Sequence, residues 1–142
     1  NILKLSKQIE ISRETLVKYL YLLSKADLLM LLQKDTFGIS KMNKPEKVFL
    51  NNPNYIFAIS ERNIDVGTLR ETFFYNQLKE KHKVFYSDKS DFLVDNKYTF
   101  EIGGKNKKQK QISGIEKGYI AADNTEHCTG NRIPLWLFGF LY

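Results

Sequence analysis

The sequence predicts an α+β protein in two parts: a helix-turn-helix with a two-stranded wing over residues 1–52, then a small αβββαβ unit over residues 53–142. Three observations carry this prediction. Leu16, Val17, Leu20 and Leu23 recur at three- and four-residue spacing, the signature of a helix with one buried stripe. Short apolar runs rich in β-branched and aromatic residues recur later, each bounded by turn residues. Finally, 42% hydrophobic and 27% charged residues decide for a folded domain over a disordered segment.

In the first part, Leu3, Leu5 and Ile9 place apolar groups on one side of a short helix. Glu10-Ile-Ser12 makes the turn, and Ser12 is a good N-cap for a second helix from Arg13 to Lys25. Arg13, Glu14, Lys18 and Lys25 fall largely opposite the apolar stripe. Leu28 to Leu32 is a continuous apolar strand, and a polar stretch from Gln33 to Lys47 separates it from Val48-Phe-Leu50. The order is that of a winged helix lacking its usual first helix. Such a second helix can enter a DNA major groove while basic side chains meet phosphates. Arg13 and Lys18 would be those contacts, with Lys34, Lys41 and Lys44 on the wing. The alternative is that the unit packs on a neighbouring domain and its charges are only a solvated face.

In the second part, Asn52-Pro-Asn54 breaks the chain before a short helix around Tyr55 to Ser60, and Asp65-Val-Gly67 marks another boundary. Thr68 can cap a helix running to about Lys81, with Glu71 in its first turn. Strands are expected at Val84–Tyr86, Phe92–Val94 and Tyr98–Ile102, the last two joined by the hairpin pair Asp95-Asn96. A lysine-rich link leads to a short helix near Gln109 to Glu116, then a fourth strand at Tyr119–Ala122. The apolar tail from Ile133 to Tyr142 reads as a core strand or a docking segment.

The net charge of +6 is spread as +4 over residues 1–60 and +2 over residues 61–142, which permits nucleic-acid binding without requiring it. A single cysteine, Cys128, excludes an internal disulfide framework and fits a reducing cytoplasm. No apolar run is long enough to span a bilayer. His82, His127 and Cys128 form no recognisable ligand or nucleophile set. The chain opens on Asn1 inside a helical pattern, which reads as a piece of a longer protein ending at Tyr142.

The stretch from Asp91 to Lys105 offers the chain's one candidate reaction. Two acids on adjacent expected strands, Asp91 and Glu101, are the donors a hard divalent cation such as Mg²⁺ prefers, and a lysine beside them can face a phosphate or an attacking water. Period-two alternation puts Lys105 on the face of Glu101, but about 6–7 Å further along the strand. A bulge at Gly103-Gly104 would shorten that gap.

The order of helix, three strands, helix and strand resembles the PD-(D/E)XK, or restriction-endonuclease-like, fold. The ordered set Ser12-Arg-Glu-Thr-Leu-Val-Lys-Tyr-Leu20, Gly67-Thr-Leu-Arg-Glu-Thr-Phe-Phe74, Asp91-Phe-Leu-Val94, Phe100-Glu-Ile-Gly-Gly-Lys105 and Pro134-Leu-Trp-Leu-Phe138 covers nearly the whole chain. It is similar to the C-terminal region of a bacterial and archaeal family of AAA+ ATPases, where a winged helix joins an N-terminal ATPase to a nuclease-like domain. The resemblance implies Glu71 as accessory helix acid, Asp91 and Glu101 as metal ligands, Lys105 as catalytic lysine and Gln111 or Lys110 as an auxiliary phosphate contact. The family pattern puts its lysine two residues after the acid, where this chain has Gly103. No GxxxxGK[ST] loop occurs here, so ATP hydrolysis would belong to the N-terminal ATPase.

Each candidate also has an ordinary structural reading. Glu71 in a first turn complements the helix macrodipole, Asp91 and Asp95 are typical turn acids, Glu101 can face solvent, and Lys105, Lys107, Lys108 and Lys110 can form a wet loop or a phosphate clamp. Three functions follow: a DNA-binding or regulatory module serving an attached ATPase, an active Mg²⁺-dependent endonuclease, and a protein-interaction or oligomerisation module docking through Trp136 and Phe138. The inserted glycines favour the first.

Overall fold

The computed structural model describes residues 2–35, 44–60 and 63–141. Helices α1 (Ile2–Gln8) and α2 (Arg13–Lys25) precede a hairpin of β1 (Leu29–Leu32) and β2 (Lys47–Leu50). Helices α3 (Pro53–Ile59) and α4 (Val66–Leu78) follow, then β3 (Val84–Tyr86), β4 (Phe92–Val94), β5 (Tyr98–Gly103), β6 (Gly118–Ala122) and β7 (Arg132–Pro134). The five strands form one mixed sheet in sequence order, antiparallel from β3 to β5 and parallel from β5 to β7. The protein is therefore α+β.

Local chemistry sets the element boundaries. Ser12 caps α2, its hydroxyl accepting from the Thr15 N–H at 3.1 Å. The cap of α4 is Asp65 rather than Thr68. Its carboxylate accepts from the N–H groups of Gly67 and Thr68, and the Thr68 hydroxyl joins it. The helix consequently starts three residues early, ends at Leu78, and carries Glu71 in its second turn, too far in for a macrodipole role. Asp95 and Asn96 both adopt positive φ, 53° each, in the three-residue connection left between paired Val94 and Tyr98, where the Lys97 N–H closes a turn on the Val94 carbonyl.

Four expectations are corrected. Leu3, Leu5 and Ile9 are exposed, because α1 turns Ile2 and Ser6, one helical turn apart, toward Leu16 and Leu20. The Ser6 hydroxyl satisfies itself on the Leu3 carbonyl, so a small residue can be buried there. Leu23 is likewise exposed. The expected helix near 109–116 is a single 3-10 turn, Gln109–Ile112, anchored by buried Ile112 and followed by Gly114 at φ 78°. The tail is neither a plain strand nor a free docking segment: Arg132–Pro134 forms the unforeseen β7, and Leu135–Phe140 is 3-10 helical.

The hairpin is the joint of the molecule. Its β1 alternates, Leu29 and Leu31 packing with Ile2, Leu16 and Leu20 while Met30 and Leu32 enter the main core. Phe49 of β2 joins that core, meeting Tyr75 edge-on at 5.7 Å and Phe92 at 6.0 Å. Phe74, wholly buried, sits at the centre against Phe92, Phe100 and Phe138. Hydrogen bonds fasten the hairpin as well: the Tyr75 hydroxyl donates to the Leu31 carbonyl, and the Tyr86 N–H to the Gln33 carbonyl. Burial pushes the Tyr75 hydroxyl up to about 12, which keeps it a neutral donor. The hairpin thus shares a core with the sheet half through Met30, Leu32 and Phe49.

Candidate functional site

The acids expected to act together meet at one end of the sheet, around the end of β5. Continuing the Phe92–Phe100 pairing by one residue sets Asp91 opposite Glu101. Asp91 Oδ2 accepts the Ile102 N–H at 2.9 Å, so this side chain extends the β4–β5 ladder beyond its last backbone pair. Glu101 projects to the face carrying Ile120, its parallel partner, and its side chain is only 1% exposed. Helix α4 brings Glu71 over the same end.

Each acid is matched to a lysine. Lys47, at the start of β2, donates to Glu71 Oε2 at 2.8 Å and to Asp91 Oδ1 at 3.2 Å. Lys107 reaches Glu101 Oε1 at 2.5 Å, and the Ser90 hydroxyl donates to Glu101 Oε2 at 2.6 Å. Glu71's carboxyl is held above the ordinary carboxylate range. Burial is the largest cause, and the negative charges of Asp91 and Glu101 add to it against the pull of Lys47. Burial works against the Lys47 charge too, but Glu71 and Asp91 together outweigh it and raise the ammonium above the usual lysine range. An ion pair ordinarily lowers its carboxyl; here crowding by like charges and loss of water win.

All four carboxylate oxygens of Asp91 and Glu101 are engaged, by Lys47, the Ile102 N–H, Lys107 and Ser90, so a divalent ion there would have to share or displace these contacts. Among the described residues, no group of three or more His, Cys, Asp or Glu side chains is arranged to hold a metal ion. The lysines are also the outer layer: Lys47 is 32% exposed against 23% for Glu71 and 17% for Asp91, and Lys107 is 32% exposed over its buried partner.

The other candidates scatter. Gly103 pairs in register with Ala122, so β5 runs straight through it without a bulge and the backbone does not return Lys105 toward Glu101. Lys105 is exposed, and its carbonyl accepts from Arg132. Gln111 and Lys110 are exposed on the 3-10 turn, with Lys108 just before it. Arg13 and Lys18 are exposed on α2, and Lys44 is exposed before β2. Lys34 is paired with Asp88 at 2.6 Å, which ties the end of β1 to the sheet half. Lys41 lies outside the described residues. Asp95 is a turn acid, bound to the Lys83 N–H and to His82 Nδ1. Phe138 is core rather than docking surface, while Trp136 is half exposed and donates to the Thr125 carbonyl.

Sequence reasoning missed Lys47, Ser90 and Arg132. Lys47 carries no local signal, because only the packing of the hairpin against α4 brings it to acids 24 and 44 residues away. Ser90, directly before Asp91, could have been noticed as a donor beside the motif acid. Compared with family models, curated proteins and solved structures, the chain shows no significant match to any of them.

Proposed function

We propose that the chain is the C-terminal nucleic-acid-binding or regulatory module of an AAA+ family ATP-binding protein, a winged helix joined to a PD-(D/E)XK-like unit whose acid site binds phosphate without cutting it. The observation that carries this reading is the outer position of Lys47 and Lys107 over Glu71, Asp91 and Glu101. Two ammonium groups stand here against three carboxylates, so a phosphodiester would be held through the lysines' remaining N–H donors rather than by a net positive charge of the cluster. Exposed Arg13 and Lys18 on α2 and the basic run 105–110 supply positive charge. The resemblance to the ATPase family supplies the partner, its own N-terminal ATPase domain, and a cytoplasmic setting.

The runner-up is an active Mg²⁺-dependent endonuclease, favoured by the convergence of Glu71, Asp91 and Glu101 on one strand end. One experiment separates the readings. The chain is titrated against duplex and single-stranded DNA over a salt series, and in parallel incubated with supercoiled plasmid with and without Mg²⁺ or Mn²⁺, beside Asp91→Ala and Glu101→Ala. Binding that falls steeply with salt, without nicking, is the expected result. Metal-dependent nicking abolished in both variants would establish the nuclease. Neither binding nor nicking would leave an interaction or oligomerisation module.

A further inference from the structure

Between Glu101 and the basic run lie two glycines that differ in their surroundings. A Cβ built on Gly103 would meet Lys107 Cδ at 2.6 Å, Cγ at 2.7 Å and Cβ at 2.8 Å. A Cβ on Gly104 would come no nearer than 3.4 Å to its nearest neighbour, the Arg70 guanidinium. The stem of Lys107 therefore lies directly on the bare face of Gly103, and the clash involves its rooted end, which cannot swing aside. From there its ammonium reaches Glu101. The loop that carries it is clamped: Arg132 donates through Nη1 to the Lys105 carbonyl and through Nη2, at 2.7 Å, to the Lys107 carbonyl. The Lys107 N–H closes a turn on the Gly104 carbonyl.

We infer that Lys107, laid across Gly103 and held by Arg132, is the phosphate-binding lysine of this site, in the role that spacing alone would give to Lys105. The inference rests on the nucleic-acid reading above and names its contact. An ammonium has three N–H donors. Glu101 takes one, and the partial exposure of Lys107 leaves the others open to a phosphate oxygen. Glu101, buried and held by Ser90 on its other oxygen, fixes the ammonium in place without itself facing the polyanion. Arg132 is a positioning residue, since it grips only backbone.

The test is DNA affinity of the full chain over a salt series, with thermal unfolding followed in parallel. Lys107→Met is expected to bind about tenfold more weakly and to lower the salt slope by about one, while Lys105→Met, which removes only a diffuse charge of the basic run, should have the smaller effect, about twofold to threefold. Gly103→Ala should follow Lys107→Met while still unfolding cooperatively, and Gly104→Ala should follow wild type. The double change Glu101→Gln with Lys107→Met removes both charges of the pair. Stability should recover toward wild type while binding stays weak; binding that returns with stability would reduce Lys107 to a counter-ion and overturn the inference. So would Lys105→Met weakening binding more than Lys107→Met, or Gly103→Ala binding like wild type. If the wild-type chain binds no nucleic acid, the functional reading fails, and inorganic phosphate decides the lysine separately. In a side-chain ¹⁵N lysine NMR titration the Lys107 ammonium should respond first, and a uniform response or one led by Lys105 would overturn it.

Discussion

The two sides of the β1–β2 hairpin are held very differently. On the sheet side, thirteen of the described residues form one buried cluster, six of them aromatic rings linked by mutual contacts. On the helical side the buried cluster is Ile2, Leu16 and Leu20, with Ile11, Val17, Leu29 and Leu31 half-buried around it. There Leu3, Leu5, Ile9, Leu22 and Leu23 stay exposed. Large rings interlocked on a sheet bury far more area per residue than one leucine stripe on a short helix pair. Cohesion on the helical side thus depends on the hairpin that the sheet half already holds.

The contrast can be broken most forcefully at Phe74. Phe74→Ala should cost about 3–5 kcal/mol, because it empties the centre of a close-packed cluster. Chemical denaturation should show one transition moved for the whole chain, helices α1 and α2 included. Leu16→Ala should cost about 2–4 kcal/mol, but hydrogen exchange should quicken in α1 and α2 while the β4–β6 amides keep their protection. Equal deprotection of the sheet would show the two sides to be one cooperative unit and end the comparison.

Helix caps sharpen it at smaller amplitude. Ser12→Ala and Asp65→Ala each remove a side-chain acceptor from a helix N-terminus, at about 1 kcal/mol. The first should appear as local fraying of α2, the second as a lower midpoint for global unfolding. The smallest effect concerns pH. Glu71's folded value lies above its unfolded one, so the unfolded chain releases this proton first, and stability falls as pH rises from about 4.5 through the raised folded value. Glu71→Gln should flatten that part of the stability–pH curve and leave hydrogen exchange in α1 and α2 unchanged. A curve with the wild-type slope would remove Glu71 as its source.

Much of the sheet half was legible from sequence because its signals are local. Alternation and turn chemistry placed Val84–Tyr86, Phe92–Val94 and the Asp95-Asn96 connection, and Ser12 announced its helix. What escaped depends on distant partners. Strand β7 is three residues long, contains Pro134 and exists only by pairing with β6. The face of α1 was misjudged because seven residues with leucines at two-residue spacing define no unique stripe, and α2 chose Ile2 and Ser6. Within the site, the acids announced themselves by motif order. The lysines did not: Lys47 arrives through the hairpin, and Lys107 through a glycine whose value lies in the side chain it lacks.

Strand β2 is four residues long, and its alternation assigns neighbouring side chains to different tasks. Phe49 is a rivet in the aromatic core, Lys47 is a bolt between Glu71 and Asp91, and Val48 faces outward at 40% exposure. Mechanically this makes the strand a short strut with no slack, since an extended backbone cannot lengthen further. A pull on the helical side is transmitted through β1 to its paired partner rather than absorbed in a linker. The helices join the hairpin at Leu29, opposite Leu50, and Lys47 stands at the other end, opposite Leu32, so the stiffness of the hairpin sets how closely Lys47 is held to its carboxylates.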